Sequence, residues 1–236
     1  MIHKQSRETY GYPRIHAELK DAGETCGKNR VYRLMQENGI QAHIARKQKR
    51  SREARHMEGF KPNTLNRQFY ALAPNQRWVS DITTIPIRGG YLHLAAVLDL
   101  YSRALIGWAM DTGMTTQLIK DALTMALWRR GKPGKVLVHS DQGSQYRSMD
   151  YQLLLSEHKL ECSMSRKGNC HDNAVMESFF HTLKGELTNR YRYKNAEEAK
   201  QSIYEYIEVF YNQKRRHSYL NYKAPFEYET MMASRK

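Results

Sequence analysis

Three segments rich in apolar and β-branched residues follow one another between residues 76 and 110, and they constrain the fold more than any other feature. QRWVSDITTIPI at 76–87 alternates in polarity, YLHLAAVLDL at 91–100 is almost continuously apolar, and RALIGWAM at 103–110 is a third candidate strand. The connections between them are only a few residues long, and short connections favour antiparallel pairing. We therefore predict a three-stranded antiparallel meander.

Further helices and strands are predicted beyond this meander. Apolar spacing predicts a helix over residues 115–130, and KVLVH at 135–139 and LECSM at 160–164 are candidate strands. Helical spacing returns in the stretch beyond residue 173 and again after Asn195, which suits a helix N-cap. This order of elements predicts an α/β fold in which helices flank a mixed five-stranded sheet.

Residues 10–40 predict two short helices separated by a break around Gly23. One side of the second helix is apolar, and the other carries Arg30 and Arg33, residues suited to phosphates and base edges in a major groove. No convincing third helix precedes residue 10. The segment is a candidate helix-turn-helix, and a plain helical hairpin with solvated charges is the alternative.

An excess of positive charge indicates a polyanionic partner. The 236 residues include 38 Lys and Arg against 24 Asp and Glu, which gives a net charge of +14. The alternative is that the chain is basic for solubility alone.

We divide the chain into a helix-turn-helix-like DNA-binding segment at 1–45, a basic linker at 46–72, a catalytic core at 73–190, and a C-terminal helix with a basic and aromatic tail at 191–236.

The cysteines and the hydropathy exclude other classes of protein. Three cysteines without a CxxC pair argue against a disulfide framework and against a cysteine-ligated zinc site. No apolar run approaches the roughly 20 residues needed to span a bilayer, and the N-terminus has no signal-peptide core. These features predict a cytoplasmic protein that does not associate with membranes.

Four acidic side chains occupy positions where an ordinary fold does not need them. Asp81 lies mid-strand, where aspartate is disfavoured, Asp99 ends the second strand, and Asp141 follows directly on KVLVHS. Glu177 lies in the predicted helix beyond the fifth strand. With a helical rotation of about 100° per residue, Glu177 lies next to the apolar side of this helix and on the same face as Lys184. Glu177 can therefore face a cleft.

Convergence of Asp81, Asp141 and Glu177 would define a metal site. Three like charges within a few ångströms repel one another, so they take up protons or bind cations. Oxygen ligands without a thiolate favour Mg²⁺ or Mn²⁺, and a pair of such ions about 3.5–4 Å apart supports phosphodiester chemistry. Lys184 would then contact a phosphate of the scissile strand. Taken singly, each of these acidic residues is more often structural.

The joint pattern resembles a known family. Asp81 on a first strand, Asp141 after a fourth, and Glu177 with 35 residues between the last two resemble the D,D-35-E signature of retroviral-integrase-like transposases. Five blocks, in the family's order, are similar to the second-frame product of bacterial insertion-sequence transposases: WVSDIT, DLYSRALIGW, HSDQGSQY, NAVMESFFHTLKGE and YNQKRRHSYLNYKAPFEYE.

The resemblance implies an RNase H-like core in which Asp81, Asp141 and Glu177 are catalytic and hold two Mg²⁺ or Mn²⁺ ions. It also implies that Lys184 contacts the transposon end and that residues 10–40 are the family's helix-turn-helix. Further positions that match the family's pattern are Asp99 and Arg103 in DLYSR, which we assign to positioning the sheet edge and the DNA, and Asn212, Arg215 and His217 in the tail motif. We expect Arg215 and His217 to contact DNA.

The resemblance also implies partners. These are DNA, both as the inverted-repeat ends of the transposon and as target, further copies of the chain in the DNA complex, and an upstream-frame product fused to the chain. Family members usually have more residues ahead of YGYPRIHAEL, so we expect a truncated or separately made product. The expected location is the bacterial cytoplasm, in association with the nucleoid.

The predicted function is that of a DNA transposase, which nicks DNA at the ends of an insertion sequence and joins the 3′-hydroxyl to another strand. Two alternatives stay open from the residues alone. One is an RNase H-like nuclease or resolvase without joining activity. The other is a catalytically silent DNA-binding regulator made from a shortened frame.

Overall fold

The fold is taken from a computed structural model, which describes residues 2–42, 61–166 and 169–234. Most of the predicted basic linker, residues 46–60, lies outside the described residues. The helices are α1 (Ile2–Gln5), α2 (Tyr12–Asp21), α3 (Lys28–Glu37), α4 (Thr116–Arg129), α5 (Ser144–Arg147), α6 (Met149–Glu157), α7 (Ala174–Leu183), α8 (Ala196–Glu205) and α9 (Pro225–Ala233), and the strands are β1 (Arg77–Ile87), β2 (Gly90–Asp99), β3 (Leu105–Asp111), β4 (Leu137–Ser140) and β5 (Glu161–Met164).

The five strands form one mixed sheet in the order β3-β2-β1-β4-β5. β2 pairs antiparallel with both β1 and β3, whereas β4 pairs parallel with both β1 and β5. The predicted meander and the predicted mixed five-stranded sheet are therefore confirmed. The parallel pairing of β1 with β4 matters most for function, because it sets the ends of two strands side by side at the centre of the sheet.

Helices cover both faces of the sheet. On one face, apolar residues of α4 and α6 pack against alternate residues of the strands, including Trp78 and Val97. On the other face, α7 and α8 pack against a second set that includes Val79 and Leu98. Successive side chains of a strand point to opposite faces, so Asp81 shares the α7 face with Val79.

Gly107 on β3 allows α4 to lie directly against the sheet. A Cβ atom at this position would meet the carbonyl oxygen of Ala122 and would lie 2.7 Å from the backbone nitrogen of Ala126.

We expect Gly107→Ala to lower the free energy of unfolding by about 1–3 kcal/mol, since neither backbone group can move without displacing α4. Urea denaturation measures the loss. Gly134→Ala is the matched control, because a Cβ there meets no atom within 4 Å, and equal midpoints for the two variants would contradict the prediction.

His139 on β4 is a buried histidine between two hydroxyl groups. Its Nδ1 lies 2.8 Å from Oγ of Ser163 and its Nε2 lies 3.1 Å from Oγ of Ser165. Burial lowers the pKa of His139 to about 4. The folded state therefore binds fewer protons than the unfolded state between about pH 6.5 and pH 4, so stability falls as pH drops through this window.

The pH dependence of stability tests this assignment. Between pH 7 and pH 5, we expect the free energy of unfolding to fall by about 2 kcal/mol more in the wild-type protein than in His139→Asn. Urea denaturation at both pH values provides the comparison, with His181→Asn, at an exposed position, as the control for removing a histidine. An equal loss in wild type and His139→Asn would show that His139 is not the sensitive group.

The N-terminal helices pack on the same core as the C-terminal tail. Ile15 of α2 and Val31 of α3 are buried in the cluster that also contains α7 and α8. Tyr10, just ahead of α2, is buried, and its hydroxyl accepts a hydrogen bond of 2.7 Å from the backbone of Arg216. The two predicted helices are confirmed, and a short helix, α1, precedes them where none was predicted.

The two long helices near the C-terminus change their winding partway along. α7 continues as a π-helix over Lys184–Thr188, and α8 continues as a π-helix over Tyr206–Tyr211. The tail then forms α9, which was not predicted, with Pro225 in its first turn. Within the described ranges, no helix combines the length and the apolar character that crossing a bilayer requires.

Candidate active site

The register of β1 with β4 brings Asp81 and Asp141 side by side. Val79 is paired with His139 in the parallel ladder, so two residues further on Asp81 is level with Asp141, directly after the end of β4. Neighbouring strands lie about 4.8 Å apart, and both side chains are half-buried. The structure thus places two carboxylates next to each other at the centre of the sheet.

Tyr146 of α5 is buried near both aspartates. Its hydroxyl shares a hydrogen bond of 2.9 Å with Oγ of Ser80, the neighbour of Asp81. Burial raises the pKa of Tyr146 well above its usual value, and the negative charges of Asp81 and Asp141 raise it further. Both carboxylates therefore act on one buried phenol, which stays protonated. Asp141 also accepts a hydrogen bond of 2.9 Å from the backbone of Gly143, which fixes its turn.

Glu177 lies on the exposed side of α7, next to the buried stripe. Met176 and Phe180 on either side of it are buried, whereas Glu177 itself is exposed. Partial burial raises the pKa of Glu177 above its ordinary value, and the nearby His171 opposes that rise. Asn173, one turn earlier, donates a hydrogen bond of 3.3 Å to the carbonyl of Ser80. The start of α7 is therefore attached to β1 immediately beside Asp81.

Asp172 anchors the segment that leads into α7. It is fully buried and accepts charged hydrogen bonds from Arg166, at 2.8 and 2.9 Å, and from Arg67, at 2.8 Å. The hydrogen bonds from Arg166 hold the pKa of Asp172 well below its usual range. Roles for Asp172, Asn173 and Tyr146 at this site were not predicted from the sequence. The available signal was the polar run HDN directly ahead of a predicted apolar helix.

The donor set fits a divalent cation in its chemistry, because Asp81 and Asp141 are adjacent oxygen donors and Glu177 stands on the helix beside them. However, these three carboxylates do not form a complete metal-binding group in this structure. Across residues 2–42, 61–166 and 169–234, no group of three or more His, Cys, Asp or Glu side chains is close enough together to hold a metal ion. The structure thus places the two aspartates side by side, and Glu177 does not complete a metal-binding group with them.

The predicted DNA-contact residues fall into different environments. Arg30 and Arg33 are exposed on α3, and Arg33 forms a long ion pair of 3.7 Å with Glu37. Lys184 is half-buried and opens the π-helix that follows α7. His217 is half-buried in the tail, and burial lowers its pKa well below the ordinary value, so it is neutral at pH 7.

Arg215 lies in a different environment from the exposed Arg30 and Arg33. It is buried, and its guanidinium forms a two-pronged ion pair with the buried Glu186, at 2.6 and 2.8 Å. Tyr206 donates a further hydrogen bond of 2.7 Å to Glu186. Because this ion pair lies inside the core, we expect Arg215 to support the structure, and its predicted contact with DNA stays a prediction.

Asp99 and Arg103 support the loop between β2 and β3. Asp99 is fully buried and accepts hydrogen bonds of 2.9 Å from the backbones of Asn75 and Tyr101. Arg103 donates a hydrogen bond of 2.7 Å to the carbonyl of Phe69. Asp99 therefore anchors the backbone at the end of β2, and its predicted part in positioning the sheet edge and the DNA stays a prediction.

Three family profiles match the chain. The integrase core domain profile matches residues 71–170, a second integrase core domain profile matches residues 158–225, and the HTH-like domain profile matches residues 1–48. Together with the mixed sheet and the helices on both of its faces, these matches define an integrase catalytic core preceded by a helix-turn-helix-like segment.

Curated relatives narrow this class to one family. Transposase InsF for insertion sequence IS3A of Escherichia coli strain K12 is 43% identical over 225 residues, which cover 95% of this chain and 78% of the relative. An uncharacterized 31 kDa protein of insertion element IS600 from Shigella sonnei is also 43% identical, over 95% of this chain and 83% of its own length. The chain belongs to the insertion-sequence transposase family of the InsF proteins.

Solved structures share the fold at low sequence identity. The catalytic core domain of HTLV-2 integrase, in a dimeric form and in complex with magnesium, gives a TM-score of 0.51 at 18% identity, over 67% of this chain and 98% of that one. A chain of the simian T-cell lymphotropic virus intasome in complex with PP2A regulatory subunit B56 gamma gives a TM-score of 0.56 at 15% identity, over 97% of this chain and 73% of that one. Both likenesses confirm the predicted RNase H-like architecture.

Proposed function

We propose that this transposase cleaves DNA at the ends of an insertion element and joins the freed 3′-hydroxyl to another strand in the same Mg²⁺- or Mn²⁺-dependent site. The observation that carries the proposal is the register of β1 with β4, which sets Asp81 level with Asp141. Membership of the transposase family supports DNA as the substrate.

In this proposal, Asp81, Asp141 and Glu177 hold the cations. A pair of divalent cations, when bound, supplies activation of a water or 3′-hydroxyl and stabilisation of the leaving oxygen. Because Glu177 is exposed and does not complete a metal-binding group with the aspartates, it has to approach them when DNA and cations bind. The aspartates need no such movement, since the sheet already sets them side by side.

Basic side chains position the DNA in the same proposal. Lys184 follows Glu177 along the helix and contacts a phosphate near the cleaved bond, while Arg30 and Arg33, exposed on α3, bind DNA near the end of the element. His217 completes the proposed contacts from the tail. The inverted-repeat ends, the target DNA, further copies of the chain and an upstream-frame product are the proposed partners.

A joining assay tests the proposal. A duplex that carries one end of the element, already nicked to expose its 3′-hydroxyl, is mixed with the protein, a supercoiled plasmid and Mg²⁺. We expect the labelled end to become covalently joined to the plasmid, and we expect no product with EDTA. A parallel reaction with the intact end measures cleavage.

The outcomes separate the alternatives. Cleavage without joined product would contradict the transposase proposal and indicate a nuclease or resolvase. DNA binding without either reaction, in the chain alone and in a fusion to the upstream frame, would indicate a binding-only regulator.

A further inference from the structure

A cleft of about 320 Å³ lies between α2, α7 and the tail segment that follows the second π-helix. We name it the arginine cleft, because three arginines line it: Arg14 of α2, Arg103 of the β2–β3 loop and Arg215 of the tail. His217 and Tyr219 line its tail side. The cleft is separate from the aspartate pair, neither member of which lines it.

The charges in the arginine cleft are not balanced. Arg215 is neutralised by its ion pair with Glu186. The guanidinium of Arg14 lies 5.5 Å from the ring centre of Tyr10 and makes no hydrogen bond or ion pair with another described residue. Arg103 uses one nitrogen on the carbonyl of Phe69, while its Nη1 is buried without a hydrogen-bond partner among the described residues. Arg14 and the Nη1 atom of Arg103 therefore face the cleft without a direct partner among the described residues, although the carboxylates of Glu186 and Asp99 lie close enough to act on them.

The titration of these groups reflects the same imbalance. Burial lowers the pKa of Arg14, and the positive charge of Arg215 lowers it further, although Glu186 opposes the change. Burial also lowers the pKa of His217, and Arg215, Arg14 and Arg103 each add to that decrease. The groups that line the cleft thus repel one another, and an anion among them would relieve the repulsion.

We propose that the arginine cleft binds a phosphate group of a DNA strand, with Arg14 and Arg103 as its ligands. Guanidinium groups suit this role because their planar donors match the oxygens of a phosphate. The exposed ring of Tyr219 lies against Arg103, at 4.0 Å, and provides a surface on which a neighbouring base stacks. This inference rests on the proposed function, in which DNA is the substrate.

The position of the cleft relates it to the candidate catalytic group. Ser178 and Thr182 of α7 line the cleft, and they lie about 100–140° around the helix from Glu177. The cleft and the catalytic face are therefore two sides of one helix. A strand held by Arg14 and Arg103 follows α7 and passes close to Glu177.

The salt dependence of DNA binding tests this proposal. Fluorescence anisotropy with a labelled duplex, in EDTA, measures binding without chemistry for wild type, Arg14→Gln and Arg14→Lys. We expect Arg14→Gln to weaken binding about 5–10-fold at low salt and to reduce the slope of log K against log salt by about 0.9, the value for one phosphate contact. Arg14→Lys keeps the charge and is expected to keep most of the slope.

Arg88→Gln is the matched control. Arg88 is exposed and follows β1 seven residues beyond Asp81, roughly 23 Å along the strand direction. We expect its slope to equal that of wild type. If folded Arg14→Gln, with an unchanged melting temperature, binds DNA like Arg88→Gln, the proposal is wrong.

A second variant keeps the proposal testable if Arg14→Gln does not fold. Ser218 is exposed at the mouth of the cleft, so Ser218→Asp adds a negative charge there without disturbing the core. We expect Ser218→Asp to weaken DNA binding at least 3-fold relative to Ser218→Asn, and equal affinities would overturn the proposal. Neither binding result depends on cleavage, so failure of the cleft and failure of the proposed function are distinguishable.

Discussion

We expect Asp81→Asn and Asp141→Asn each to lower the rate of end cleavage by more than about 100-fold and to leave DNA binding in EDTA within a few-fold of wild type. The reason is that asparagine keeps the size of the side chain but removes the negative charge that attracts a divalent cation. Removing a residue that hydrogen-bonds to a metal ligand typically lowers metal affinity or activity by about 10–100-fold, so removing a ligand itself is expected to lower activity more. Gel analysis of a labelled element end gives the rates.

Glu177→Gln is expected to have the same effect, because the proposed chemistry needs all three carboxylates. The matched controls are Asp150→Asn and Glu157→Gln, which remove exposed carboxylates of α6. Both controls are expected to cleave at the wild-type rate. Wild-type cleavage by Asp81→Asn or by Asp141→Asn would remove the aspartate pair from the mechanism.

We expect Glu186→Gln to lower the free energy of unfolding by about 3 kcal/mol or more. The substitution leaves the buried guanidinium of Arg215 without its counter-charge, and breaking a buried ion pair from one side typically costs 3–5 kcal/mol. Domains of this kind are stable by only about 5–15 kcal/mol, so the loss is a large fraction of the total. Urea denaturation at pH 7 measures it.

The exposed pair Arg33–Glu37 supplies the control for this prediction. Its side chains are 71% and 57% exposed at a separation of 3.7 Å, so Glu37→Gln is expected to change stability by less than about 0.5 kcal/mol. Replacing both buried partners, in Glu186→Leu/Arg215→Met, is expected to recover much of the loss, since no buried charge remains. A loss below about 1 kcal/mol in Glu186→Gln would contradict the assignment of Arg215 to structure.

The sequence predicted the sheet because its signals are local. Each strand has its own alternating or apolar pattern, and the short connections of the meander leave antiparallel pairing as the simple solution. The sequence also indicated, in outline, that Asp81 and Asp141 could lie close together. One residue lies within a strand and the other directly after one, and the structure supplied the register that sets them level.

The environment of single charged residues could not be predicted in the same way. Arg215 and Arg33 are the same residue type, yet one is buried against Glu186 and the other is exposed on α3. That difference depends on contacts across 29 residues of sequence, which no local pattern records. Arg14 was overlooked for the same reason, because its importance comes from the cleft that α2 forms with the tail.

Helical periodicity failed where the winding changes. A helical wheel with about 100° per residue correctly places the side chains of α7 as far as Leu183, which is buried with the other apolar residues of the helix. From Lys184 the chain winds as a π-helix, so the wheel no longer gives the direction of that side chain relative to Glu177. The predicted shared face of Glu177 and Lys184 therefore remains a prediction.

The central claim is that Asp81, Asp141 and Glu177 hold divalent cations, and Mn²⁺ binding tests it most directly. Electron paramagnetic resonance of free Mn²⁺ counts the ions that the protein binds in the presence of an element end. We expect about two ions per chain for wild type and a loss of at least one in each of Asp81→Asn, Asp141→Asn and Glu177→Gln. Equal numbers of ions and equal affinities in wild type and all three variants would contradict the claim.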